Sequence, residues 1–315
     1  MKILHIGLMV NGRREGLCKS FANASDYREF PISHDLNSKL ENLYNEGFKP
    51  DIIFQQIHDG ILRNGSVTAN ITEVIKDPLN KWRKEGAFSI NWIGDIRNVT
   101  PSWTHHHKEC TDLQCFSNMR DVKNFDGPSA FLQIGIDPLT FKKWPKNEPV
   151  HDVVFMGNHY GSQFPLGGYR QTLVLWLEKK GYAFYGNYPR ATGNLQAQPH
   201  DPFPMQSQES QIYSSAKIAI SLSHYNVERY TSDRLLRCMA SHVCTLSHHF
   251  EGIERDFVRG QHLDTFRNIT ELEERINYYL DNETAREAIA KQGHDLVHEN
   301  YTYDSMVKNI IELAI

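Results

Sequence analysis

Residues 151–188 read HDVVFMGNHYGSQFPLGGYRQTLVLWLEKKGYAFYGNY, the clearest structural signature in the chain. The apolar run Asp152–Met156 is too short for a stable helix and ends at Gly157–Asn158, a turn pair, so it reads as a buried strand. After it, Tyr169–Lys180 places Leu173, Trp176 and Leu177 on one helical face. Ala183–Tyr185 then reads as a second strand. Strand, helix, strand in this space requires a crossover and hence parallel pairing, with helices covering the sheet.

The same alternation extends in both directions. Downstream, Gln211–Ser215 reads as helix, Ile218–Leu222 as strand, a helix begins near Thr231, and Val243–Leu246 is the next strand. Thr270 and Glu273 have capping-box spacing ahead of Leu272, Ile276, Tyr279 and Leu280, which line an apolar stripe. Upstream, strands are expected at Lys2–Leu8, Asp51–Gln56, Phe88–Ile93, Leu113–Ser117 and Ala130–Ile134, with helices at Leu36–Glu46 and Ile71–Arg83. The Gln-, Pro- and Ser-rich stretch Asn194–Gln211 reads as a long loop of the kind that forms lids. Lysines and prolines between Asp137 and Pro149 mark a linker. The expected organisation is a first domain at 1–140, a linker at 141–150, a second domain at 151–300, and a last helix at 301–315 that crosses back. The fold class is α/β, with two Rossmann-like, doubly wound domains facing a cleft.

Composition narrows the function. With 315 residues the chain is long enough for two domains. The formal charge of −4 divides into +1 for residues 1–150 and −5 for the remainder, which argues against tight, charge-driven nucleic-acid binding. No apolar run reaches membrane-spanning length, and no leader-type cleavage pattern follows the first strand. Five scattered cysteines suit a reducing compartment, so a cytoplasmic protein is expected.

Ligands of doubly wound sheets bind beyond the carboxyl ends of the strands. Gly157 and Asn158 stand there, and Arg170 offers a fixed positive charge. Thr231, Ser232 and Asp233 open a helix whose free amides and dipole favour an anion; Ser232 and Arg234 suit a diphosphate, and equally an ordinary N-cap with a surface arginine. In the first domain the candidate general bases are Asp95, in the sequence Trp92-Ile93-Gly94-Asp95-Ile96-Arg97, and Asp59, preceded by His58. Asn11, Gly12 and Arg13 follow the first strand and face the same side; Trp92, Trp103 and His105–His107 could stack on an acceptor. Read as extended chain, three consecutive histidines point to different sides, and with Cys110 and Cys115 they match no standard zinc spacing, so no metal is expected. The absence of a G-x-G-x-x-G after the first strand counts against an NAD enzyme.

The segments TSDRLLRCMAS, CTLSHHFEGIERDF and NITELEERINYYLDNETAREAIAKQGHDLVHENYTYDSMV, with DVVFMGNHY and FLQIGIDP upstream, resemble group 1 glycosyltransferases of the GT-B fold, especially their spore-maturation-protein-like branch. The likeness covers roughly the C-terminal 60% of the chain. It implies a metal-independent transferase, with no cofactor, that moves a hexosyl or pentosyl group from a nucleotide sugar to a hydroxyl. It also implies that the donor diphosphate meets Ser232, Asp233, Arg234 and the Gly157–Asn158 loop, with Tyr185 and Tyr188 near the base. The branch occurs in bacteria and phages, so the acceptors to weigh are a glycan, a metabolite, a protein and a hydroxymethylpyrimidine in DNA. One departure stands out: Arg229 and Arg237 occupy the positions of a glutamate pair common in retaining members, and His242 stands for a glycine. A non-catalytic nucleotide- or sugar-binding protein that kept the fold is the competing reading.

Overall fold

The computed structural model describes residues 1–7, 15–57, 61–64, 67–96, 101–145, 150–161, 163–188, 191 and 206–315. The chain divides into two compact units, Met1–Ile134 with Tyr303–Ile315, and Gly135–Thr302.

In the first unit, β1 (Lys2–Gly7), α1 (Glu15–Ala24), β2 (Asp26–Pro31), α2 (Leu36–Asn45) and β3 (Ile52–Gln55) are followed by a hairpin of β4 (Ile61–Asn64) and β5 (Val67–Asn70). Then come α3 (Ile71–Lys84), β6 (Phe88–Ile93), α4 (Pro101–Cys110), β7 (Leu113–Phe116), α5 (Met119–Asn124) and β8 (Ser129–Phe131). Six strands form a parallel sheet in the order β2-β1-β3-β6-β7-β8. Alternating side chains build the two faces. Ile3, Ile52 and Phe54 pack with Leu17 and Phe21 of α1, whereas Leu4, Ile6 and Ile53 pack with Leu36, Leu40 and the apolar stripe of α3.

The second unit contains β9 (His151–Met156), α6 (Gly167–Lys180), β10 (Ala183–Tyr185), α7 (Gln206–Ser214), β11 (Ala216–Ser221), α8 (Asp233–Ala240), β12 (Cys244–His248), β13 (Asp264–Phe266), α9 (Ile269–Asp281) and α10 (Glu283–Asn300). Its five strands are all parallel, in the order β10-β9-β11-β12-β13. Val153 and Phe155 face α6 on one side, while Val154 and Met156 face Tyr213 and Cys238 on the other. Burial of both faces explains why β9 reads as a continuous apolar run. The left-handed Gly181 ends α6, with its N–H on Glu178 O. The last helix, α11 (Tyr303–Ala314), places Met306, Val307 and Ile310 in the core of the first unit.

Several expectations change at this level. The compact units meet at Ile134/Gly135 rather than in the Lys- and Pro-rich stretch near 145. Helix α9 is capped two residues earlier than expected: Asn268 accepts from Glu271 N at 2.9 Å, and the Glu271 carboxylate returns to Arg267 N at 2.9 Å. Asn268 is extended, with φ −147°, the conformation a cap requires, and Thr270 lies inside the first turn. His105–His107 belong to helix α4, not to extended chain. Most of the expected loop Asn194–Gln211 lies outside the described residues, and its last part is the start of α7.

Candidate functional site

In both sheets the strand order reverses beside the first strand, between β1 and β3 and between β9 and β11. At such a point the two adjacent crossovers leave on opposite faces, which opens a crevice beyond the carboxyl ends. In the second unit that crevice is bounded by Gly157 after β9 and by Leu222 and Ser223 after β11.

Two arginines converge there. Arg170, fully buried, donates to the Leu222 carbonyl, to Asn158 O at 3.0 Å and to the Tyr188 hydroxyl at 3.4 Å. Arg234 donates to the same Leu222 carbonyl at 3.0 Å. Both guanidiniums lie over the Phe155 ring, at 5.2 and 5.9 Å. A Cβ on Gly157 would come within 2.5 Å of Arg170 Nη2 and 2.9 Å of Arg234 Nη2, so only glycine leaves room for the pair. Gly186 is needed for a similar reason: a Cβ there would meet Gly157 O at 2.1 Å. Among the described residues neither arginine has a carboxylate at ion-pair distance. Burial, followed by the charge of Arg234, holds the Arg170 pKa down to about 10, which leaves it a cation at neutral pH. The neighbouring His224 registers the same field. Burial first, then Arg170 and Arg234, push its pKa down to about 3, and its ring lies between Tyr160 and Phe164.

Ser223, which follows Leu222, and Ser232, which precedes Arg234 by two residues, line a shallow open hollow. Ser221, Ser223, Ser232 and Ser247 are among its lining residues, with Tyr225, Tyr230 and His248. Ser232 is the N-cap of α8, its side chain makes no cap bond, and the residue is part of the hollow's lining. Asp233 Oδ1 accepts from Arg234 N at 2.8 Å, shaping the first turn. The crevice thus combines paired cations, hydroxyl donors and a helix start, a set suited to a polyanion joined to a polyhydroxyl group. Ser221, Ser223, Ser247 and His248 were not among the sequence-based candidates. Their only signal is position at the ends of β11 and β12, with no distinctive spacing. Among the described residues, this crevice holds no set of three His, Cys, Asp or Glu ligands closing on one point.

The other candidates divide. Asn158 ties two loops together, its Oδ1 accepting from Asn187 N at 2.9 Å and its carbonyl from Arg170. Tyr188 is buried and supports Arg170. Tyr185 turns away from the crevice: its hydroxyl is 3.2 Å from Nε2 of His151, the residue that opens β9 at the opposite end. Arg229 and Arg237 have local roles. Arg229, at φ 53°, makes a two-point contact with Asp256 at 2.8 and 2.9 Å, and Arg237 pairs with Glu209 and Asp233. His242 takes the left-handed φ of 59°, where a glycine is the usual occupant.

In the first unit, Asp95 is exposed directly beyond β6. Trp92 is a core residue, 2% exposed, with its indole N–H on Leu132 O at 2.9 Å, so it offers no surface for stacking. Asn11, Gly12, Arg13, His58, Asp59 and Arg97, and the side chain of Trp103, lie outside the described residues. Among the described residues, the interior of the first unit holds a polar network. His106 bonds Thr72 at 2.9 Å and Gln55 at 3.1 Å; Gln55 donates to Ser89 and Cys110 O; Asn91 bridges Ile57 and Gln114. His105 pairs with Glu73, and His107 packs edge-on against Phe125. The three histidines therefore share no partner among these contacts.

No curated protein matches the chain in sequence. Sucrose-phosphate synthase from Thermosynechococcus elongatus is similar in structure, at 10% identity and TM-score 0.64, over 99% of this chain and 98% of that one. A β-glucosyltransferase of T4 phage matches at 14% identity and TM-score 0.62, and a structure described as the DNA-modifying enzyme β-glucosyltransferase at 14% and 0.63, each over 100% of this chain and 99% of that one. Anabaena Alr3699/HepE, solved in complex with UDP, matches at 11% identity and TM-score 0.59, over 99% of each chain. These likenesses make the α/β fold with two parallel sheets a GT-B fold. A family model described as glycosyl transferase-like matches residues 153–312, which hold the arginine pair, the serine-lined hollow and α8. That match spans just over half of the 315 residues, and the chain belongs to the glycosyl transferase-like family.

Proposed function

We propose that the protein transfers a sugar from a nucleoside-diphosphate sugar, with UDP-glucose the first donor to try, to a hydroxyl acceptor. The observation that carries this reading is the Arg170/Arg234 pair, a buried and a partly buried cation at the switch point of the second unit with no carboxylate at ion-pair distance among the described residues. Burying like charges without an anion is costly, and a diphosphate supplies the missing charge. As the sugar leaves, negative charge grows on the β-phosphate, and fixed guanidiniums with the α8 dipole stabilise it in the transition state. The serine hydroxyls of the hollow suit the sugar and ribose. HepE is bound to UDP, and the DNA-modifying β-glucosyltransferase is described with uridine diphosphoglucose, which supports a uridine donor and makes hydroxymethylated DNA an acceptor to test beside glycans. Asp95 is the carboxylate proposed to take the acceptor's proton, a role its exposed place beyond β6 allows.

The test is UDP release from UDP-glucose, with GDP-, TDP- and ADP-sugars as alternatives, in the presence of hydroxymethylated DNA or oligosaccharide acceptors. Acceptor-stimulated release with one donor, lowered at least a hundredfold in kcat but not in donor KM by Asp95→Asn, supports the reading. Donor binding without any turnover would instead favour a non-catalytic nucleotide-sugar-binding protein.

A further inference from the structure

On the α1-covered face of the first sheet, β1, α1 and β2 bring three different metal-ligand types to one point. His5 on β1 is fully buried, Cys18 on α1 is partly buried and Glu29 on β2 is exposed, and one ligand atom from each lies within 4.8 Å of the others. The convergence follows from the parallel register. His5 is paired with Glu29 across the two strands, so both side chains leave on the same face, which α1 covers through Leu17 and Phe21. Side chains of Phe21, Tyr27 and Phe54 surround the His5 ring at 5.4 to 6.1 Å.

The Tyr27 hydroxyl sits in the middle of the group, 2.8 Å from His5 Nδ1 and 2.7 Å from Glu29 Oε2, and it also bonds Cys18. The phenol donates to the Glu29 carboxylate, and the imidazole tautomer sets whether His5 Nδ1 donates to the phenol oxygen or keeps a free lone pair. The other nitrogen of His5 is 3.2 Å from Gln56 Oε1. An Nε2–H donated to that amide leaves the Nδ1 lone pair pointing at the cluster, the outer contact that orients ligating imidazoles.

We propose that His5, Cys18 and Glu29 form a binding site for a borderline-soft divalent cation, Zn²⁺ in the first instance. One nitrogen, one thiolate sulfur and one carboxylate oxygen match that ion and not Mg²⁺ or Ca²⁺, which take oxygen sets. On binding, the Cys18 thiol gives its proton to solvent and the Tyr27 hydroxyl yields its bond to His5. The ion then clamps the exposed edge strand β2 and helix α1 onto β1. The site lies in the first unit and is independent of the donor crevice and of the proposed reaction.

The experiment uses the full chain, stripped with chelator and titrated with Co²⁺ and then Zn²⁺. A thiolate-to-cobalt charge-transfer absorption that saturates at one equivalent and is displaced by Zn²⁺ is expected, with a rise in melting temperature that Mg²⁺ does not produce. Cys18→Ser abolishes the absorption and the thermal shift, and Glu29→Gln weakens Zn²⁺ binding at least tenfold. Neither position is in the buried core, so melting of the metal-free variants stays near that of the parent and shows that they fold. Absence of the absorption overturns the site, as does an absorption that survives Cys18→Ser, because the ion would then sit on another of the five cysteines.

Discussion

The two units bury polar groups in opposite ways. Beneath the sheet of the first unit, His106, Gln55, Ser89, Asn91 and Gln114 form a neutral network in which the amides and both nitrogens of His106 have partners. At the switch point of the second unit, Arg170 and Arg234 are cations held by carbonyls and an aromatic face, with no carboxylate at ion-pair distance among the described residues. A closed neutral network costs little once formed and makes one packing arrangement preferable to its alternatives. A pair of uncompensated cations costs stability and persists where a ligand completes it. The polar groups of the network are thus partnered within the first unit, whereas the proposed donor site of the second leaves its cations for a ligand to complete.

The largest expected effect breaks that contrast at the arginines. Arg234→Ala is expected to weaken donor binding about a hundredfold, or about 3 kcal/mol for lost charge-assisted bonds, with the melting temperature unchanged or raised. Calorimetric titration with UDP-glucose beside a melting curve checks both. A lower melting temperature with intact affinity would make the pair structural, like the network in the first unit.

Next comes the converse change. Asn91→Ala removes the acceptor for Ile57 N and a partner of Gln114. It is expected to cost about 2–3 kcal/mol of unfolding free energy, the penalty for orphaned buried groups, while donor affinity holds. Urea unfolding measures the first and the same titration the second.

The smallest effect concerns acid. Burial, with His105 and His107 adding, depresses the His106 pKa from 6.5 to about 3. The unfolded chain therefore takes up a proton near pH 6.5 that the folded chain refuses until about pH 3. The contribution of neutral His106 is complete above the upper value and is lost as pH falls through the window, by at most about 1.4 kcal/mol per pH unit. His106→Gln should flatten the stability profile between pH 6 and 4 by up to one proton. An unchanged slope would mean that His106 is not held neutral by the fold.

Much of this was legible in the residues, for identifiable reasons. Strand β9 was visible because both of its faces are buried, so no polar alternation interrupts it. The N-terminus of α8 was visible because Ser232-Asp233-Arg234 precedes an apolar helix. Strand β2, DYREFP, was missed: it is the sheet edge, largely exposed, and carries almost no apolar signal. The His105–His107 run suggested a shared role, but on helix α4 consecutive residues point about 100° apart and so meet different neighbours. Ser221, Ser223 and Ser247 look like ordinary turn serines until two strand ends are placed side by side.

The sequence by itself determined the alternation of strands and helices, the turn glycines and the positive charges near two strand ends. These follow from local periodicity and backbone sterics, which act over a few residues. Only the tertiary structure decided that Arg170 and Arg234, 64 positions apart, share one carbonyl, and that Tyr185 turns away while Ser232 lines the hollow. That outcome depends on the order β10-β9-β11, which sets the ends of β9 and β11 beside each other, and strand order is a property of long-range packing.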